Sequence, residues 1–225
     1  MSDRRANADN RADRGPDLTG PAPAPRPPRG IKGKYVVLAI GLVAMSAAVV
    51  SIKLGRHYYL PKRFYEVEAG QLYRSGYIEP TPLRRIIDDK RIKTILCLLN
   101  DEPEDSDQKK EAAVVREKGI QFIRIGMPGD GLGRFEDLDR AADAIAAESN
   151  RPILVHCAGG ENRTGAAYAA YRMKYCGWTF ERALNEGDNF GLPIRENAEL
   201  VVHLKAYRDH LAAAGQSATQ STTEH

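Results

Sequence analysis

The chain has 225 residues, 28% charged and 42% apolar, with three cysteines and a net charge of +3. That length admits one ordinary domain with appendages, and three cysteines without framework spacing suggest a reducing compartment rather than a disulfide-stapled fold. Residues 1–56 hold ten Lys/Arg against four Asp/Glu and the rest hold twenty-three against twenty-six, so the larger part is mildly acidic and offers no basic stripe for nucleic acid.

Residues 1–34 are rich in Arg, Asp, Ala and Pro, with five prolines between Pro21 and Pro28. Such a segment cannot bury enough apolar surface to fold and reads as a disordered, partly extended tail. A spacer is the simpler use of it; a ligand for a proline-reading domain is the other. Tyr35 to Ile52 then run for eighteen residues without a charge, bracketed by Lys32 and Lys34 before and Lys53 and Arg56 after. As a helix this stretch reaches roughly 27 Å, close to the hydrocarbon thickness of a bilayer. It is expected to be an uncleaved single-pass anchor over 35–52. The rival is a signal peptide cut near Ser46 to Ala48, against which the preceding polar region is unusually long. The basic flanks tie, so the positive-inside rule gives no orientation.

Beyond residue 57, strand and helix patterns alternate to about residue 213, followed by a polar tail over 214–225. A helix runs from a cap at Thr81, with Pro82 in its first position, to about Lys90. Lys93 to Leu99 is a buried strand, and Asp107 to Lys118 a helix stopped by Gly119. Ile120 to Ile125 alternates as a strand, Phe135 to about Glu148 is helical, and Pro152 to Val155 is a short apolar strand. Further helices are expected from Thr164 to Tyr175, near 179–185 and from Arg195 to Ala213. This alternation argues an α/β domain with a central, mostly parallel sheet flanked by helices, whose ligand lies beyond the carboxyl ends of the strands.

Two loops fall at that end. The first, His156-Cys157-Ala158-Gly159-Gly160-Glu161-Asn162-Arg163-Thr164-Gly165, joins a strand to a helix. Its backbone N–H groups converge at a helix N-terminus, which binds anions. The helix dipole and Arg163 both favour the thiolate of Cys157, the nucleophilic form. Arg163 matches two phosphate oxygens with its planar fork, Thr164 can hydrogen-bond the sulfur as it leaves, and His156 is a partly buried support. Cys97 and Cys176 read as small core residues. No second cysteine or histidine pair lies at ligand spacing for zinc. The second loop, Gly126 to Gly133, follows the Ile120 strand and presents Asp130 between glycines. Asp130 is the candidate general acid, later base; the plain alternative is a turn aspartate. Glu136, Asp137 and Asp139 are rivals that sit better in the first turn of a helix.

His156 to Thr164 resembles the signature loop of the cysteine-dependent protein tyrosine and dual-specificity phosphatases, and Gly70 to Gly76 is similar to an early segment of their compact bacterial members. The resemblance covers about residues 62–212 and implies a tyrosine-phosphatase-like fold. It also implies a two-step reaction: Cys157 takes the phosphoryl group as phosphocysteine, and water then hydrolyses it. Arg163 and the backbone of Ala158, Gly159, Gly160, Glu161 and Asn162 would hold the phosphoryl. No metal or other cofactor is implied. An acid on a mobile loop is part of the family's scheme, which assigns that role to Asp130. Asn189 and Asn197 stand where some members place an amide that positions water, although capping explains both.

The phosphoinositide-directed relatives tend to carry lysines in the variable loop positions. Ala158, Glu161 and Asn162 are not basic, and Glu161 would repel extra phosphates. The expected function is therefore a membrane-anchored phosphomonoesterase acting on phosphotyrosine, phosphoserine or phosphothreonine in a protein, or on a small phosphomonoester. A lipid-phosphate or inositol-phosphate phosphatase, a sulfurtransferase and an idle phospho-residue binding module are the alternatives.

Overall fold

The computed structural model describes residues 33–59 and 61–223. The expected tail over residues 1–34 lies outside them up to residue 32, and its last two residues begin a helix. The chain divides into two compact units, Met1–Ser46 and Ala47–His225.

Helix α1 spans Gly33–Tyr59. Its side chains are described from Tyr35 to Ser51, where every one of them is exposed, including Val37, Ile40, Val43 and Met45. Among the described residues no helix is long and apolar enough to cross a membrane, and the expected span of 35–52 runs past those described side chains at Ile52.

The second unit is built on five strands: β1 (Tyr65–Glu68), β2 (Leu72–Ser75), β3 (Thr94–Cys97), β4 (Gln121–Arg124) and β5 (Ile153–His156), in the order β1-β2-β5-β3-β4. The β2–β5, β5–β3 and β3–β4 pairs are parallel, and β1 pairs antiparallel with β2. The sheet is therefore mixed: β3, β4 and β5 lie where the alternation placed them, and β2, parallel to β5, and the antiparallel edge strand β1 are additions to it. β5 is the central strand.

Strand alternation sorts the side chains into two layers. Leu72, Leu96, Ile153 and Val155 pack with α4 (Phe135–Ala146), α5 (Asn162–Tyr175), α6 (Phe180–Asn189) and α7 (Ala198–Thr223). Tyr73, Ile95 and Leu154 face the opposite way, toward α2 (Pro80–Lys90) and α3 (Ser106–Lys118). The parity matters at the end of β5. His156 follows Leu154 onto the α2–α3 side, while Cys157, one residue on, belongs to the α5 side.

Several boundaries differ from the sequence expectation. Helix α2 begins at Pro80, and Glu79 takes its N-cap without a side-chain bond, so Thr81 lies inside the helix. Helix α3 is capped by Asp105, whose carboxylate accepts the N–H groups of Asp107 and Gln108, and Gly119 ends it with φ 63. Helix α5 begins at Asn162, two residues early, which puts Arg163 in its first turn. Helix α7 continues past Ala213 to Thr223, so most of the expected polar tail is helical: once a long helix is nucleated, each added residue costs little.

Candidate active site

The loop from His156 to Glu161 leaves the carboxyl end of the central strand and enters α5. Gly160 shows why the residue type is required. It has φ 76, and a Cβ there would stand 2.6 Å from Gly76 N and from the Ser75 carbonyl carbon. Any side chain would force the loop away from β2.

Cys157 is 2% exposed, and its sulfur accepts the Gly160 N–H at 3.1 Å. Burial pushes the thiol up. The hydroxyl and N–H of Thr164, the Gly160 N–H and the Arg163 charge outweigh it and hold the thiol below its ordinary value. The Thr164 hydroxyl has no partner at full hydrogen-bond geometry, so it acts on the sulfur as a near polar neighbour. Arg163 Nη1 reaches Met127 O at 3.5 Å, tying the signature loop to the second loop.

Two further arginines hold the loop. Arg74, in β2, is 1% exposed; its Nη2 donates to Gly160 O at 3.0 Å, and its guanidinium lies over the rings of Tyr168 and Phe190. Arg63 donates from Nη1 to Gly159 O at 3.1 Å and forms an ion pair with Glu161. That pair corrects the expectation that Glu161 adds an unbalanced negative charge: its carboxylate already faces a cation.

The second loop is docked on the first. Asn162 Nδ2 donates to Gly129 O at 3.3 Å, and Gly131 lies so close to Asn162 that a Cβ would meet its backbone at 3.1 Å. Asp130 is exposed and accepts the Leu132 N–H at 2.9 Å, the turn contact foreseen as its plain reading. Its backbone oxygen accepts from Asn197 Nδ2 at 2.9 Å, and Asn197 Oδ1 accepts Leu200 N–H. Asn197 is thus a capping residue that also anchors the loop carrying Asp130. Asn189 ends α6 and is exposed. Of the rival carboxylates, Glu136 is exposed in the first turn of α4, Asp137 pairs with Arg134 and Arg140, and Asp139 accepts Tyr207 Oη and pairs with Lys174.

His156 is 2% exposed, and its Nε2 lies 2.9 Å from Glu111 Oε1, off the line of a hydrogen bond. Burial alone would lower its proton affinity; the Glu111 carboxylate, aided by Cys97, raises it well above the ordinary imidazole value. Cys97, Glu111 and His156 bring their donor atoms within 4.8 Å of one another, all buried. This set is invisible to sequence spacing. Its donor types suit zinc, and a metal there would first have to displace the protons of the thiol and the imidazole.

Among the described residues, seven buried side-chain polar atoms lack a partner: Arg74 Nε, Ser75 Oγ, Glu111 Oε2, both ring nitrogens of His156, Asn162 Oδ1 and Thr164 Oγ1. All belong to the loop or to residues against it. Unsatisfied polar groups concentrated in one place mark a functional site. Beside the loop a cleft of about 600 Å³ is lined by Lys62, Tyr77, Glu79, Glu102, Asp105, Asp107, Ala158 and Arg163 among others.

Arg63, Arg74 and Glu111 were not singled out from sequence. A signal existed for two of them. Arg74 shares the face of Leu72 in a period-two run, and Glu111 falls between Gln108 and Val114/Val115 on the buried stripe of α3.

Residues 58–223 match the model of the tyrosine phosphatase family. The chain is 27% identical over 137 residues to the inositol diphosphatase SIW14 of Saccharomyces cerevisiae, covering 59% of this chain and 47% of that protein. It is 27% identical over 115 residues to the dual specificity protein phosphatase TpbA of Pseudomonas aeruginosa, covering 51% and 49%. The chain thus matches about half the length of these curated relatives. The fold is that of the Siw14 catalytic core (TM-score 0.55, 21% identity, 71% of this chain and 93% of that one) and of P. aeruginosa TpbA (TM-score 0.53, 23% identity, 67% and 91%). The chain belongs to the tyrosine phosphatase family of cysteine-dependent phosphatases.

Proposed function

We propose that this protein hydrolyses phosphotyrosine and phosphoserine or phosphothreonine in proteins through a phosphocysteine intermediate. The observation that carries the reading is Cys157 itself: buried, bonded to the Gly160 N–H, and held below the ordinary thiol value at the start of α5. The Cys157 sulfur attacks phosphorus, forming the S–P bond while the ester P–O bond breaks. The leaving oxygen takes a proton from Asp130, whose loop is tied to Asn162 and Arg163. Water then attacks phosphorus, Asp130 takes back a proton, and the S–P bond breaks to release phosphate and thiolate. Arg163 moves from Met127 O to the phosphoryl oxygens and, with the loop N–H groups, holds them through both steps.

The cleft supports a protein monoester over the inositol-phosphate and lipid-phosphate alternatives. Glu79, Glu102, Asp105 and Asp107 line it against Lys62 and Arg163, and Arg163 is consumed by the transferring phosphoryl. A ligand with several phosphates would meet more carboxylates than cations. The relatives named inositol diphosphatases keep that alternative as the second reading. A sulfurtransferase or an idle binding module has less support, because cysteine, arginine and acid loop are all present.

The membrane tether is also proposed. A run of exposed apolar side chains on all sides of α1 suits hydrocarbon better than water.

The deciding experiment is p-nitrophenyl phosphate hydrolysis by the full chain in detergent with metal chelated, beside Cys157→Ser. Turnover in the wild type, lost in the variant while inorganic phosphate still binds, is the expected result. A folded wild type without turnover would sink the reading.

A further inference from the structure

We propose that Glu111 is a positioning residue for the nucleophile: its buried carboxylate, carried by α3, holds the imidazole of His156 and thereby the geometry of the loop that begins at Cys157. The proposal rests on the cysteine-phosphatase reading of that loop.

Glu111 is 3% exposed on a helix face it shares with Val114 and Val115. Removing a carboxylate from water to such a place costs several kcal/mol unless it is paired, and an apolar side chain of the same size would pack there at less cost. Packing is therefore no reason for a glutamate. Its ion-pair partner is His156, at 2.9 Å, while Oε2 has no partner. The position thus bears an electrostatic cost for one contact, with the residue that precedes the nucleophile.

The topology makes this contact consequential. His156 is the last residue of the central strand, flanked in register by Ser75 of β2 and Cys97 of β3. Its carbonyl accepts the Leu98 N–H at 2.9 Å, which fixes its backbone from the β3 side. The side chain points to the α2–α3 layer, and Cys157 to the α5 layer. A rotation of the strand end about its axis would therefore move the imidazole and the sulfur in opposite directions. Fixing the imidazole from α3 blocks that rotation and keeps the sulfur on the Gly160 N–H.

The charged groups around this device are few. Facing His156 are Glu111 from α3 and Cys97 from β3, and Arg124 of β4 reaches the Cys97 sulfur at 3.7 Å. Tyr77 lies within the field of Glu111 and is pushed up first by burial and then by the surrounding carboxylates. On the other side of the strand end, Arg74 and Arg163 act on Cys157. Glu111 is the leading group that favours a proton on the buried imidazole, with Cys97 as the second, and burial opposes both.

The test uses Glu111→Gln and Glu111→Met in the full chain. Both fill nearly the same space but remove one partner of a buried pair, which costs stability, so each variant is first shown by a cooperative thermal melt to be folded at the assay temperature. Turnover of p-nitrophenyl phosphate at pH 7 is expected to fall about tenfold, in kcat rather than KM, since a small misplacement of reacting atoms is costly. Glu111→Asp, which keeps the charge on a shorter arm, should recover part of the loss. Two readouts need no turnover. The rate of iodoacetamide alkylation, read at the Cys157 peptide, should require higher pH in the Gln and Met forms, because a sulfur drawn off its hydrogen bonds keeps its proton longer. The His156 ring, followed by NMR, should be protonated at pH 7 in the wild type and neutral in both variants.

Variants that lose stability but keep wild-type kcat and an unchanged alkylation profile would overturn the proposal, leaving Glu111 a structural residue. A wild type that alkylates rapidly at Cys157 but turns over no phosphoester would instead overturn the phosphatase reading. In that case the alkylation and NMR comparisons still decide on Glu111.

Discussion

At the scale of single residues, the site separates chemistry from support. The proposed nucleophile Cys157 and phosphate ligand Arg163 were legible as a pair because a cysteine, an arginine and close-approach glycines stand at the spacing of a strand-to-helix loop, which the structure shows between β5 and α5. Asp130, the proposed acid, was picked by place, and its loop does follow β4 and lie against the signature loop. Its carboxylate sits in its own turn, bonded to the Leu132 N–H, and that contact makes a clean substitution available. Asparagine preserves the turn through its amide oxygen but has no proton of suitable acidity to give. Asp130→Asn should therefore keep the loop and lower kcat about a hundredfold for an alkyl phosphate, with a smaller loss for p-nitrophenyl phosphate. Equal losses on both substrates in a steady-state comparison would remove Asp130 from the acid role. Glu161 was misjudged in isolation, because its partner Arg63 lies almost a hundred residues earlier, and charge balance between distant segments leaves no local mark.

At the scale of elements, the three parallel strands β3, β4 and β5 and most helices were read from the sequence, while β1 and β2, the latter parallel to β5, were missed and α7 runs ten residues past its expected end. β1 and β2 are four residues each. Arg74 lies within β2, so its apolar alternation is broken by a cation that is buried only because Gly160 O and two rings surround it. Helix α3 repays a closer look, for it supplies Glu111 to the loop and one wall of the cleft. Its start depends on Asp105, which accepts two backbone N–H groups at 2.8 and 2.9 Å. Asp105→Ala should cost about 1 kcal/mol, read as a fall of roughly 2–4 °C in the midpoint of a thermal melt for a domain of this size. An unchanged midpoint would show that the neighbouring loop, rather than the cap, holds the helix start.

At the scale of the whole molecule, the composition already separates an N-terminal region from an acidic catalytic unit. The proposed tether makes a direct prediction. The full chain expressed in cells should stay with membranes through an alkaline carbonate wash. Val43→Arg, which places a charge in the middle of the apolar run at a cost of about 3 kcal/mol, should release a measurable share of it. A wild-type chain that washes off completely would end the tether reading. The sequence by itself determined the α/β class, the order of the helices with the strands β3, β4 and β5, and the cysteine-containing strand-to-helix loop that resembles the family's signature, because each depends on periodicity or spacing within a few tens of residues. The tertiary structure alone decided the mixed sheet, the buried arginine behind Gly160, the Arg63–Glu161 pair and the Glu111–His156 contact. Those joins are made between segments far apart in the chain, where strand pairing and burial, rather than local pattern, select the neighbour.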